Sequence, residues 1–141
     1  MWESTTSERF DLYTSEGFLL GEFRLYRRAS ERGAEYWARL NIYGGPLITI
    51  ARGAFPTFLE VLAGRRPLEA LRGVGEWVWC MPLCRAEFLE IRRGPWGAVV
   101  KIYAEMEGEA GVVYRLYEAV LTARDLRRIE RRVGFIRPRQ L

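Results

Sequence analysis

Between Ala98 and Thr122 the side chains alternate twice between two faces, and just beyond them the period changes to that of a helix. In the first run Val100, Ile102 and Ala104 share one face, and Val99, Lys101, Tyr103 and Glu105 share the other. Successive strand side chains point to opposite faces, so this run predicts a strand with an apolar core side. In the second run Val112, Tyr114 and Leu116 lie together, opposite Val113, Arg115 and Tyr117. Between them, Glu107-Gly108-Glu109-Ala110-Gly111 supplies the conformational freedom of a hairpin loop. Thr122 followed three residues later by Asp125 then predicts a capped helix start. Leu126, Ile129 and Val133 form its buried stripe, and Arg124, Arg127, Arg128, Arg131 and Arg132 cover its other faces.

The same pattern occurs earlier in the chain. Strands are predicted at 10–14, 18–28, 35–43 and 47–51, followed by a helix at 54–63 with Pro56 in its first turn and Gly64 as its stop. In the third strand Tyr36, Ala38, Leu40 and Ile42 are assigned to the core; Trp37, Arg39, Asn41 and Tyr43 are assigned to the opposite face. Residues 64–75 read as a glycine-bearing connector with a short helical piece around Leu68 to Leu71. Further strands follow at 77–81 and 85–93; in the latter Leu89 and Ile91 are expected inside, with Phe88, Glu90 and Arg92 outside. The basic tail 135–141 is expected to end beside the last helix. The predicted fold class is therefore α+β: two strand-strand-strand-strand-helix units with antiparallel sheets and helices packed on one side. The predicted domain organisation is one compact domain, 1–141, with pseudo-repeats at 10–64 and 76–134.

The composition excludes several functional classes. With nearly half of its 141 residues hydrophobic and 28% charged, the chain is globular rather than disordered. No apolar run approaches the ~20 residues of a membrane-spanning helix, and MWESTTSER lacks a basic-then-apolar leader. A cytoplasmic protein with no membrane partner is expected. Histidine is absent, so a serine or cysteine nucleophile lacks its usual base. Gly73-Val74-Gly75-Glu76 lacks the third glycine of a dinucleotide loop. Glu105, Glu107 and Glu109 read as a solvated acidic hairpin rather than a metal site. Cys80 and Cys84 cannot complete a zinc site and are read as small core residues, with a disulfide as the alternative in a hyperthermophile. The chain is accordingly read as a non-enzymatic protein without cofactor or metal.

Net charge is +4, and 21 of the 22 basic residues are arginine, Lys101 being the exception. Arginine offers a planar fork for phosphate and a flat face for stacking. A GC-rich genome or adaptation to heat is the competing explanation. The arginines interleave with rings on the polar side of the strands: Arg24, Tyr26, Trp37, Arg39, Asn41, Tyr43, Phe88, Arg92, Lys101, Tyr103, Arg115 and Tyr117. Rings stack on bases and neighbouring cations neutralise phosphates, which makes a sequence-tolerant platform for single strands. Tyr, Trp and Arg also characterise protein interfaces, so a protein-interaction subunit using the same face is the alternative. A face so rich in aromatics also predicts a homodimer or larger assembly.

Two strand-strand-strand-strand-helix units, with Leu121-Thr122 ending a strand and opening a helix, resemble the fold shared by PC4, Whirly and PUR-type proteins. That resemblance covers about residues 10–134 at the level of pattern. It implies binding of single-stranded DNA or RNA on curved sheets, generally by dimers or larger assemblies. The arginine bias also suggests an archaeal thermophile and a kinship with ThermoDBP-type single-strand binders, although the C-terminal leucine zipper of that kind is missing. No signature such as a Whirly lysine-rich motif occurs, so the site residues follow from strand alternation alone.

Overall fold

The computed structural model describes residues 4–81 and 84–134; the tail 135–141 lies outside the described residues. In chain order the elements are β1 (Thr5–Tyr13), β2 (Leu19–Ser30), β3 (Gly33–Ile42), β4 (Leu47–Ile50), α1 (Phe55–Leu62), a 3-10 helix (Leu68–Trp77), β5 (Val78–Met81), β6 (Cys84–Gly94), β7 (Gly97–Gly108), β8 (Gly111–Thr122) and α2 (Ala123–Val133). None of the described helices is long and apolar enough to cross a membrane.

The expected pair of units with separate sheets is corrected by the strand pairing. All eight strands belong to one antiparallel sheet in the order β5-β4-β3-β2-β1-β8-β7-β6. The two halves of the chain meet where β1 pairs with β8, at Tyr13 and Val120. The sheet curls into a nearly closed barrel. Its outermost strands, β5 and β6, are joined by a Cys80–Cys84 disulfide with Cα atoms 5.2 Å apart. The cysteines are thus bridge residues at the seam, not small core fillers. Alternation along one strand specifies its two faces but not its neighbours, so the single sheet was not visible in the pattern.

Residues of one phase fill the interior: Phe10, Leu12, Phe23, Leu25, Ala38, Leu40, Ile42, Ile48, Ile50, Val100, Ile102, Ala119 and Leu121 are all buried. Helix α1 adds Phe55, Phe58, Leu59, Val61 and Leu62 to the same core. Pro56 stands in its first turn, where no backbone donor is lost. Phe58 lies between Phe23 on β2, with centroids 6.5 Å apart, and Phe88 on β6, 5.4 Å away. One ring thereby couples strands from both halves of the chain.

Helix α2 begins as its sequence predicts. The Asp125 backbone N–H donates to Thr122 Oγ1 at 3.2 Å, and the helix ends at Gly134 in the left-handed region, φ 70°. Leu126 and Ile129 are buried against the sheet. Two of the arginines expected on its open faces do structural work instead. Arg128 Nη2 and Arg132 Nε donate to the Glu8 carboxylate on β1 at 2.7 and 2.8 Å. The Arg128 guanidinium also lies over the Phe10 ring, 4.9 Å from its centroid.

Two assignments of side-chain phase are also corrected. On β6 the register shifts between Phe88 and Glu90, so Phe88 turns inward onto Phe58 and Leu89 is 46% exposed. A bulge inserts one residue and reverses the phase beyond it. On β8 the pairs Ile102–Tyr117 and Ala104–Arg115 place Tyr117 and Arg115 in the inner phase, opposite to Lys101 and Tyr103.

Candidate nucleic-acid interface

The outer face of β1 to β5 has no helix packed on it among the described residues, and its register aligns side chains into rungs. One rung runs Arg9, Arg24, Arg39, Thr49, Trp79 from β1 to β5. The next rung on one side is Ser7, Tyr26, Trp37, and on the other Asp11, Glu22, Asn41, Leu47, Met81. These positions point outward because their neighbours along each strand, such as Phe10, Phe23, Leu25, Ala38, Leu40 and Ile48, fill the core. With strands ~4.8 Å apart, three guanidinium-bearing residues stand abreast within ~10 Å.

Like charges directly opposite one another on a sheet are destabilising. The sheet meets this cost partly with carboxylates on the adjacent rung. Arg24 Nε donates to Glu22 Oε2 at 2.9 Å and its Nη1 donates to the Ser7 hydroxyl at 3.1 Å. The hydrogen bond to Glu22 holds the Arg24 guanidinium still more firmly protonated than usual. Arg9 lies 3.8 Å from Asp11, a loose pair on an exposed surface. Arg39 differs: among the described residues its guanidinium meets no carboxylate, and it sits over the Tyr26 ring, 5.3 Å from the centroid. Tyr26 in turn stacks on Trp37 with centroids 5.5 Å apart and planes 4° from parallel. A cation and two parallel rings are therefore contiguous on the surface.

Tyr43 stands just beyond β3, where its hydroxyl donates to Glu22 Oε1 at 3.3 Å. Partial desolvation, and then the Glu22 charge, push its phenol above the usual range, so it stays a donor at neutral pH. The structure thus brings together Arg24, Tyr26, Trp37, Arg39, Asn41 and Tyr43. Lys101 and Tyr103 share the outer phase on β7, with Arg92 on β6, but belong to the other end of the sheet. Lys101 Nζ lies 3.2 Å from Glu90 and 3.5 Å from Glu118, so its charge is already neutralised. Its hydrogen bond to Glu90 raises its pKa. Tyr103 stacks on Tyr114, 6.1 Å away, not on a cation. Phe88 packs in the core, and Arg115 and Tyr117 belong to the inner phase.

Two members of the outer face were missed from sequence. Arg9 falls outside the predicted strand 10–14, whereas β1 starts at Thr5. Extending the alternation of Asp11 and Tyr13 backward would have found it. Trp79, 55% exposed, was assigned to the second half of the chain, yet β5 pairs with β4 of the first. No signal along the chain announces that pairing. Among the described residues no three His, Cys, Asp or Glu side chains could share a metal ion. No protein-family model, curated protein or solved structure matches this chain.

Proposed function

We propose that this protein binds single-stranded DNA or RNA, without catalysis, on the outer face of β1 to β5. One observation carries the reading: Arg9, Arg24 and Arg39 stand abreast beside the parallel Tyr26 and Trp37 rings, with Arg39 lacking any carboxylate partner among the described residues. Cations set together against their mutual repulsion suit a polyanion, and the adjacent half-buried rings suit unpaired bases. In this reading the protein acts in the cytoplasm and needs no cofactor. The test is a titration of the wild-type chain with oligo(dT), oligo(rU) and duplex DNA at two salt concentrations. A strong preference for one or both single strands, weakening with salt, is expected.

The second reading is a protein-interaction subunit using this face, favoured by the exposed Trp79 and Met81 at its β5 end. Failure to bind either oligonucleotide would remove the first reading and leave this one.

A further inference from the structure

The two outer edges of a sheet, and any stretch where a pair of strands diverges, present unpaired backbone groups that invite another strand. Folded proteins protect such edges with charges, proline, bulges or covering elements. In this molecule the edge of β6 is protected. It carries Arg85, Glu87, Glu90, Arg92 and Arg93 and a bulge between Phe88 and Glu90. Its Arg93 Nη1 also donates to the Leu62 carbonyl of α1 at 3.2 Å. Strand β8 is different. It pairs with β7 along its whole length, but with β1 only at Tyr13 and Val120. From Val112 to Leu116 the side of β8 away from β7 has no strand against it among the described residues. Val112, Val113, Tyr114 and Leu116 are 49%, 40%, 58% and 56% exposed. The five-residue run contains no proline and a single charge, Arg115.

We propose that residues 112–116 of β8 pair antiparallel with the same residues of a second copy, across a two-fold axis at Tyr114, joining the two sheets edge to edge. The segment is complementary to itself in this register. Tyr114 faces the partner's Tyr114, Val112 faces the partner's Leu116, and Val113 faces the partner's Arg115. Extending the register sets Glu118 opposite the partner's Ala110, and Glu109 opposite the partner's Ala119. No like charges meet, which is what a stable cross-strand pairing requires. A polyanion is a poor occupant, because Glu105, Glu107 and Glu109 surround this end of the hairpin. This contact does not depend on the function proposed above, because it lies on other strands.

The register can be tested by sedimentation equilibrium on the full chain, with far-UV circular dichroism as the check on folding. Wild type should be dimeric at micromolar concentration. Tyr114→Lys places two lysines face to face and should weaken association about tenfold or more. Tyr114→Glu should do the same, and an equimolar mixture of the two variants should recover the dimer. A second pair of variants addresses the flanking position without touching Tyr114. Val113→Glu, opposite the partner's Arg115, should tighten association, and Val113→Lys should loosen it. A wild type that stays monomeric up to about 0.1 mM, folded Tyr114 variants that associate like wild type, or equal effects of the two Val113 changes would each overturn the pairing.

Discussion

The outer faces of β2–β3 and of β7–β8 have the same geometry but different chemistry. Both are antiparallel pairs with one face turned to the core, and each carries a stacked pair of rings, Tyr26–Trp37 on one and Tyr103–Tyr114 on the other. Around the first pair stand Arg24 and Arg39. Around the second stand Glu105, Val112 and Leu116, and its one cation, Lys101, is held between Glu90 and Glu118. Aromatic residues on a strand thus mark exposed surface without saying what the surface meets. The state of the neighbouring cations decides it. A guanidinium without a carboxylate can still neutralise a phosphate, whereas an ammonium already paired twice must first lose those partners.

The comparison breaks most directly at the arginine rung. Replacing Arg9, Arg24 and Arg39 together by Gln should abolish measurable oligonucleotide binding at physiological salt. At low salt it should flatten the log–log salt dependence by at least ~0.7, the share of Arg39, and by about 2 where Arg9 and Arg24 exchange Asp11 and Glu22 for phosphate. Arg39→Gln alone should flatten it by about 0.7 and change thermal stability little, because the lost cation–π contact with Tyr26 is offset by removal of a like-charge neighbour. Self-association should be untouched in both variants. An unchanged salt slope in the triple variant would remove the rung from the site.

A smaller effect should come from the rings. Trp37→Ala should weaken binding by about 1–3 kcal/mol for each base that stacks there, with the salt slope nearly constant. It also removes the pair with Tyr26, worth about 0.5–1.5 kcal/mol of folding stability, so binding must be measured where the variant is fully folded. Tyr103→Ala is the control at the other end of the sheet and should leave oligonucleotide binding at the wild-type level. Equal losses from the two substitutions would mean that nucleic acid spans both faces.

The elements of this fold are legible in the sequence to within a few residues, but their assembly is not. The alternation at 35–43 and 98–105 locates β3 and β7 because each has one strictly apolar side. It fails at Phe88-Leu89, where both residues are apolar and a bulge reverses the phase without any change of residue type. It fails again at Val112–Tyr117, where the side carrying the charge, that of Arg115, is the inner phase and only Ala119 and Leu121, further along, settle which faces inward. For the site, Arg24 and Arg39 were each visible as outward residues. Their adjacency to each other and to Arg9 depends on register between strands, which no single strand encodes.

The smallest expected effect concerns Lys101 and separates charge from available charge. Sequence ranks Lys101 with Arg39, since both alternate with aromatic residues on the polar side of a strand. In the structure the Lys101 ammonium is bonded to Glu90 and lies beside Glu118. Lys101→Met should therefore change neither oligonucleotide affinity nor the salt slope. Its consequence should be structural, because, among the described residues, Glu118 would lose its cation and Glu90 would keep only Arg92, 3.6 Å away. The sign of its pH dependence follows from the raised pKa that the hydrogen bond to Glu90 produces. A group whose pKa is raised on folding contributes fully below its ordinary value, near 10.5 for this lysine, and loses that contribution as pH rises through the folded value. Thermal melts should accordingly place Lys101→Met below wild type at neutral pH, with the gap closing in strongly alkaline buffer. A variant that instead loses oligonucleotide affinity in parallel with Arg39→Gln would show that the carboxylates around Lys101 give way to phosphate, and that both faces of the sheet belong to one binding surface.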